Sequence, residues 1–143
     1  MKCEVIIDPS REEKCVIYAK TQRPIVDAIK ALAEEKASDL FGYRDREIVK
    51  LDLSEICCFS VMDNRVYAVG DAGRYWVKER LYALEERLPK EFVKINQSCL
   101  GNVNRMERFD TSISGTLKIR FKSGHVDYVS RRQLKAVKER LGL

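Results

Sequence analysis

Between residues 48 and 77 the chain is divided into four short segments rich in β-branched and aromatic side chains. These segments cover residues 48–53, 56–62, 65–69 and 75–77. Asp63 and Asn64 separate two of them, and residues 71–73, which end in a glycine, separate the last two. This pattern is typical of β-hairpins or a β-meander. It constrains the fold more than any other feature, and it predicts a mostly β protein, α+β overall.

Further strands are predicted in the last third of the chain, at residues 102–106, 116–121 and 126–129. Leu117, Ile119 and Phe121 alternate with Lys118 and Arg120. Successive side chains of a strand point to opposite faces of its sheet. One face of this strand should therefore be buried, and the other should be exposed and basic.

Two short helices are predicted to accompany these strands. Val77, Leu81, Leu84 and Leu88 recur at helical spacing, and Pro89 should end that helix. A second helix should close the chain. Ser130 and Gln133 form a capping-box pattern at its start, and Gly142 is suited to its C-terminal cap.

Arg131 and Arg132 are placed in the first turn of that last helix, where positive charges oppose the helix dipole. The free backbone N–H groups of a helix N-terminus attract phosphate. The two arginines therefore indicate either an anion-binding helix end or exposed charges that the helix tolerates.

The first 45 residues differ from the rest and are predicted to form a separate piece. Apolar runs at residues 3–7 and 15–19 predict two strands. A helix should follow from Pro24, with Ile25, Ala28, Ile29 and Leu32 on one face. We expect an N-terminal strand–strand–helix extension over residues 1–45, used for dimerisation or regulation, and a second domain over residues 46–143.

The net charge of +5 is concentrated in the last third of the chain. Residues 1–91 hold 16 basic and 18 acidic side chains, whereas residues 92–143 hold 11 basic and 4 acidic side chains. This asymmetry is typical of a surface that faces a polyanion, although a solvated basic face would give the same count.

Residues 92–108 include several side chains that can donate hydrogen bonds, and they contain few acids. Lys94, Asn96, Gln97, Ser98 and Asn102 can all donate a hydrogen bond. This composition suits contact with phosphates and base edges better than it suits a catalytic pocket.

Several classes of function find no support in the sequence. No apolar run is long enough for a membrane span, and the N-terminus lacks a signal-peptide pattern. Five cysteines without C-x-x-C spacing argue against a disulfide framework and for a reducing cytoplasm. The one histidine, His125, follows Gly124 in a predicted turn. We expect no enzyme, no cofactor, no metal and no small-molecule substrate.

Several motifs between residues 48 and 141 resemble the LytTR DNA-binding domain of bacterial transcription regulators. Residues 56–69 resemble the first strand pair of that family, and Leu81, Leu84, Leu88 and Phe92 resemble its short helix and the phenylalanine after it. Residues 94–98 stand where the family has Arg-Ile-His-Arg-Ser or a variant. Asn102 matches the asparagine of the Val-Asn pair that follows in the family. Residues 128–132 match its closing Val-Ser-Arg-Arg signature.

The resemblance implies an elongated set of small β-sheets with short helices, in which loops enter successive grooves of double-stranded DNA. We name the matching segments loop 1 (residues 62–65), loop 2 (residues 94–98) and loop 3 (residues 130–132). By motif position, the base-reading residues would be Asn64, Gln97 and Arg132. Backbone-contacting or adjacent residues would be Arg65, Lys94, Asn96, Ser98, Asn102, Ser130 and Arg131. Asn or Gln suits adenine and Arg suits guanine.

The chain departs from the family in two ways that affect the expectation. Asn96 and Gln97 replace the more usual His-Arg or His-Asn, and Gly101 replaces the usual valine. About 45 residues precede the resemblance, too few for a receiver domain. The chain is thus similar to stand-alone members of the family, which implies promoter DNA and a small membrane protein as partners.

The leading hypothesis is a sequence-specific, cytoplasmic DNA-binding transcription regulator, dimeric on DNA. One alternative is a protein-interaction module whose basic surface binds an acidic partner. Another is an RNA-binding β protein. Aromatic residues such as Tyr67, Tyr75 and Trp76 lie outside the basic third, which argues against the RNA alternative.

Overall fold

The computed structural model describes residues 1–34, 39–112 and 114–143, and the chain divides into two compact units. The first unit is Met1–Lys36 and the second is Ala37–Leu143. No helix in the described ranges is long and apolar enough to cross a membrane. The functional division at residue 45 stays a prediction.

In the first unit, the predicted helix forms and the two predicted strands do not. Helix α1 is Pro24–Ala33, with the proline in its first turn, and none of its residues is buried. Residues 3–7 and 15–19 are not strands. An apolar run becomes a strand only where a neighbouring backbone completes its ladder of hydrogen bonds, and the described part of the chain offers these runs no such neighbour.

In the second unit, seven strands form one antiparallel sheet. They are β1 Phe41–Arg44, β2 Glu47–Lys50, β3 Ile56–Met62, β4 Arg65–Gly70, β5 Gly73–Val77, β6 Phe92–Asn96 and β7 Cys99–Asn102. Their order across the sheet is β2-β1-β5-β4-β3-β7-β6. Helix α2, Leu81–Arg87, links β5 to β6 and ends two residues before Pro89, as the sequence predicts.

A second sheet of three antiparallel strands follows, in the order β10-β9-β8. The strands are β8 Met106–Thr111, β9 Leu117–Phe121 and β10 Val126–Val129. As predicted, Leu117, Ile119 and Phe121 are fully buried. Helix α3, Arg131–Leu141, ends at Gly142, whose φ of 74° is the left-handed conformation expected for that cap.

Each face of the seven-stranded sheet carries one hydrophobic core. Cys58 and Cys99 belong to a cluster that also includes side chains of the small sheet and of α3. Phe59 and Leu100, their neighbours along β3 and β7, belong to a second cluster with Leu84 of α2. The alternation follows from the two-residue period of a strand. The predicted fold class, mostly β with short helices, is confirmed.

Two predicted strand boundaries are wrong, and two elements were not predicted. Residues 102–106 do not form a strand, because β7 ends at Asn102 and a 3-10 turn, Val103–Arg105, precedes β8. The Asn102 side chain accepts a hydrogen bond from the Asn104 N–H at 3.0 Å, which favours that turn. Strand β2 ends at Lys50 and not at residue 53, and β1 and the β6–β7 hairpin were not predicted.

Candidate nucleic-acid interface

Loop 1 is a two-residue hairpin turn between β3 and β4. Met62 pairs with Arg65 across it, and the central residues Asp63 and Asn64 have φ angles of 51° and 62°. Positive φ at both central positions is characteristic of a type I′ turn, and Asp and Asn tolerate it better than most residues. Both side chains are exposed, so the turn presents the Asn64 amide to solvent.

Loop 2 contains the tight turn of the β6–β7 hairpin. Asn96 pairs with Cys99, which leaves Gln97 and Ser98 as the two turn residues. The Asn96 side-chain oxygen accepts the Ser98 N–H at 2.8 Å, which holds the turn. Gln97 is exposed, and its amide makes no hydrogen bond to any residue that the structure describes.

Loop 3 joins β10 to the first turn of α3. Arg131 and Arg132 are exposed, and that turn contains no acidic residue. The predicted capping box does not form, because the Ser130 hydroxyl makes no capping hydrogen bond and the Gln133 N–H donates to the Ser130 backbone oxygen at 3.0 Å. The Ser130 hydroxyl therefore remains available at this end of the helix.

Two backbone hydrogen bonds connect the three loops. The Val61 N–H donates to the Ser98 oxygen at 2.8 Å, which places loop 2 beside the residue that precedes loop 1. The Ser130 N–H donates to the Ile95 oxygen at 2.9 Å, which places loop 3 beside loop 2. The loops therefore lie in the order 1, 2, 3 along one edge of the second unit.

An irregularity in β6 makes the second of these bonds available. The register with β7 shifts between Lys94 and Asn96, so that Ile95 is an extra residue in its strand. Such a bulge bends the strand and leaves one residue unpaired in the ladder. The Ile95 side chain is fully buried while its carbonyl oxygen binds Ser130.

The Asn96 side chain is a brace between loop 2 and β10. Its amide nitrogen donates to Oδ1 of Asp127 at 3.0 Å and to the Tyr128 oxygen at 2.7 Å, and its oxygen binds the Ser98 N–H. Both donors and one acceptor position are thus occupied within the protein. The structure gives Asn96 a positioning role in addition to its place at the predicted interface.

Asn102 is not at this edge, so the structure contradicts its predicted contact with DNA. It is 3% exposed, and its amide nitrogen donates to the Ile56 oxygen at 2.9 Å and the Leu53 oxygen at 3.4 Å. A buried amide needs such partners, since an unsatisfied polar group in the core costs about 1–3 kcal/mol. Asn102 therefore joins β7 to Leu53 and to the first residue of β3.

Lys94 lies apart from the turn of loop 2. It pairs with Leu100, whose side chain belongs to the core on the α2 side of the sheet. Its ammonium group is 4.0 Å from a carboxylate oxygen of Glu85 in α2. A half-exposed pair at that distance neutralises Lys94 only in part.

The Cys58 thiol of β3 lies against the Cys99 thiol of β7 and against the partly buried imidazole of His125, the residue before β10. The pKa of the Cys58 thiol is lowered to about 6, most strongly by the Cys99 thiol and less strongly by the His125 imidazole. The pKa of Cys99 is raised by the same contact and by burial, and the pKa of His125 is raised by Cys58. His125 follows the turn that the sequence predicts, and its imidazole lies against the Cys58 thiol.

The sequence matches the LytTr DNA-binding domain family over residues 46–142. The chain belongs to this family. A solved LytTr DNA-binding domain from a Bacillus cereus protein superposes on 74% of this chain and 98% of its own length, with a TM-score of 0.69 and 20% sequence identity. The predicted family is thus confirmed, and so is its fold.

Relatives that resemble the chain over its whole length come from Staphylococcus aureus. An uncharacterized HTH-type transcriptional regulator of strain NCTC 8325 is 32% identical over 148 aligned residues, and that of strain MSSA476 is 34% identical. Each alignment covers 100% of this chain and 99% of the relative. The similarity therefore includes Met1–Lys36, which the LytTr match does not reach.

The name of these relatives refers to a helix-turn-helix, but the described residues of this chain contain no such motif. Strands separate α1, α2 and α3 from one another along the sequence. The candidate surface in this LytTr family member is instead made of loops and strand ends, at loops 1, 2 and 3.

Proposed function

We propose that this LytTr family member is a sequence-specific transcription regulator that reads double-stranded DNA with loops 1, 2 and 3. The observation that carries the proposal is their arrangement along one edge, fixed by the backbone hydrogen bonds from Val61 to Ser98 and from Ser130 to Ile95. Loops 1 and 2 belong to hairpins whose inner strands, β3 and β7, are neighbours. With strands about 4.8 Å apart, the two turns are about 10 Å apart.

That spacing is comparable with the groove widths of B-DNA, which are about 12 Å and 6 Å. We propose that consecutive loops of this edge enter neighbouring grooves on one side of a duplex. We propose Asn64, Gln97 and Arg132 as the base-reading residues of the three loops. Their side chains are exposed, and each type can form bidentate hydrogen bonds with a base edge.

The remaining polar groups of the edge would hold the phosphates. Arg65 and Arg131 are exposed cations beside two of the proposed base readers. Ser98 and Ser130 offer hydroxyl donors at the loops. Contacts of this kind supply salt-dependent attraction that is independent of sequence and set the register of the protein on the duplex.

A homodimer is the proposed active form, joined through the first unit. Apolar side chains in Met1–Lys36 remain strongly exposed, among them Ile7 at 86%, Tyr18 at 93% and Leu32 at 74%. Exposed apolar groups of this number are typical of a surface that another chain covers. A small membrane protein, implied by the resemblance, is the proposed regulator of this unit.

Binding of duplex DNA at several salt concentrations tests the proposed function. The full chain is titrated against DNA from upstream of its own coding sequence and against a scrambled duplex of equal length. We expect a preference for the upstream duplex and an affinity that falls steeply with salt. Equal binding to both duplexes would contradict sequence specificity.

The same titration separates the two alternatives. Preference for single-stranded RNA of equal length over either duplex would favour an RNA-binding protein. Binding of neither nucleic acid, together with binding of an acidic peptide, would favour a protein-interaction module.

A further inference from the structure

Three aromatic side chains form a row across β1, β5 and β4 of the large sheet. Tyr43 lies opposite Trp76, and Trp76 lies opposite Tyr67, so all three are on one face. The rings of Tyr43 and Trp76 are 5.6 Å apart between centroids and tilted by 53°. Each residue is partly buried, which leaves part of each ring at the surface.

Each of these rings carries a cation. The Arg65 guanidinium lies 5.1 Å from the centre of the Trp76 ring, and the Arg74 guanidinium lies 4.7 Å from that of Tyr67. The Lys78 ammonium lies 4.7 Å from the centre of the Tyr43 ring. We name Arg65, Arg74 and Lys78 the cationic flank.

The cationic flank is exposed and not neutralised by the protein. None of its three members forms an ion pair with a carboxylate in the described ranges of the chain. The other side chains of β4 and β5 on this face belong to Tyr67, Val69 and Trp76, and none of them is acidic. The charge of the flank is therefore available to a polyanion.

Contact with the rings places these long side chains before any ligand binds. Cation–π attraction is favourable even at exposed sites. This attraction already restricts the rotamers of the Arg and Lys side chains, so that less entropy is lost when they bind a ligand. Arg74 also donates to the Met62 sulfur at 3.1 Å, so its guanidinium reaches the beginning of loop 1.

The flank continues the proposed interface beyond loop 1. Arg65 is the last residue of that loop, and Lys78 follows Val77, the partner of Val66 on the neighbouring strand. Strand β5 lies on the side of β4 that faces away from loops 2 and 3. A duplex that follows the edge past loop 1 therefore meets these cations next.

We propose that the cationic flank, and in particular Arg74 and Lys78, binds phosphates of duplex DNA outside the segment that the three loops read. This inference rests on the proposed function and extends it to flanking DNA. A platform for unpaired bases would need free ring faces. Here a cation covers a face of each ring, so the surface is suited to the charged backbone and not to base stacking.

The test compares two lengths of one duplex. The full chain first selects a duplex from a random-sequence library, and that duplex is then shortened from each end in turn by half a helical turn, about 5 base pairs. Affinities of the native chain and of the double variant Arg74→Gln, Lys78→Gln are measured against salt. The control variant Lys90→Gln, Arg140→Gln removes the same charge from two exposed positions, one in the turn before β6, at the far edge of the large sheet from β5, and one near the end of α3.

We expect the native chain to lose affinity when one particular end is removed. The flank variant should bind the full-length duplex about as weakly as the native chain binds the shortened one. The slope of its plot of log affinity against log salt concentration should be smaller in magnitude by about 1.8, which is about 0.9 for each of two lost phosphate contacts. The control variant should keep the preference for the longer duplex.

Two results would overturn the inference alone, with the proposed function intact. In one, the flank variant keeps the native preference for the longer duplex. In the other, it loses the same affinity on both lengths. Failure of the native chain to select or bind any duplex would overturn the proposed function and this inference with it. Unchanged thermal melting of the variants checks that they are folded.

Discussion

The backbone N–H of Ser130 donates to the carbonyl oxygen of Ile95 across 2.9 Å. The bond joins the first residue of loop 3 to a bulged strand residue that precedes the turn of loop 2. The Asn96 brace, with its bonds to Asp127 and Tyr128, lies directly beside it. Two of the three loops are thus held as one rigid body, so their separation is set by the fold before DNA is present.

Replacing Asn96 with Ala should destabilise the protein and weaken DNA binding together. The change removes three hydrogen bonds and should lower the free energy of unfolding by about 1–3 kcal/mol. Urea unfolding measures that loss. Gln97→Ala is the matched control, because its exposed side chain has no described partner. That control should leave stability unchanged and reduce only discrimination between DNA sequences. Full stability of Asn96→Ala would show that the brace is not needed.

Replacing Asn64 with Gly separates turn formation from base reading. Glycine adopts a positive φ without strain, so the type I′ turn should persist with unchanged or higher stability. The side-chain amide is lost, which should cost about 1–3 kcal/mol of discrimination at one base pair. Competition between duplexes altered at single positions measures that cost. If Asn64→Gly discriminates as well as the native chain, Asn64 serves the turn alone.

The sequence was informative where a segment's neighbours are close in the chain. The hairpins around Asn64 and after Phe121 have local turn residues and a two-residue alternation, and both form as predicted. The β6–β7 hairpin was missed because Gln97 and Ser98 lack the glycine of a usual turn signal. Their turn depends instead on the Asn96 side chain.

Contacts between distant residues could not be predicted from sequence. Asn102 matches a family motif, yet its amide binds the carbonyl oxygens of Leu53 and Ile56, far away in the chain. Asp127, the partner of Asn96, likewise carries no sequence signal. The space beside Gly101 is another example, because Phe121 fills it to within 3.1 Å of where a Cβ would lie.

The cationic flank was also missed, for the same physical reason. In the sequence, Arg74 and Lys78 lie in a segment whose net charge is slightly acidic. Only the pairing of β1, β4 and β5 brings them over the rings of Tyr43 and Tyr67. Aromatic residues that argued against RNA in the sequence therefore acquire a role in positioning charge.

Replacing Cys58 with Ala should lower the pKa of His125. The thiol is the group that raises the pKa of this imidazole, so its removal returns the pKa toward the usual value of about 6.5. His125 is the only histidine, so one imidazole signal in an NMR titration reports it. Cys57→Ala, at an equally buried neighbour, is the control and should leave that pKa unchanged.

The sign of the stability effect follows from the direction of this shift. A raised folded-state pKa means that protonated His125 stabilises the fold, fully at pH values below the unfolded pKa. That contribution is lost as the pH rises through the folded-state pKa. An imidazole that titrates identically in the native chain and in Cys58→Ala would show that the thiol is not the group responsible.

Replacing Arg132 with Ala should relax sequence specificity, because the guanidinium is proposed to form two hydrogen bonds with one guanine. The loss should be about 1–3 kcal/mol at that base pair and small elsewhere. Arg132→Lys keeps the charge but cannot form the planar pair of bonds. It should therefore retain the native salt dependence and lose the discrimination.

Lys94→Ala, by contrast, should weaken all duplexes about equally and by little, since Glu85 already neutralises part of its charge. Affinities for a set of duplexes with single base-pair changes measure all three variants, and normal selectivity of Arg132→Ala would show that the assignment of loop 3 is wrong.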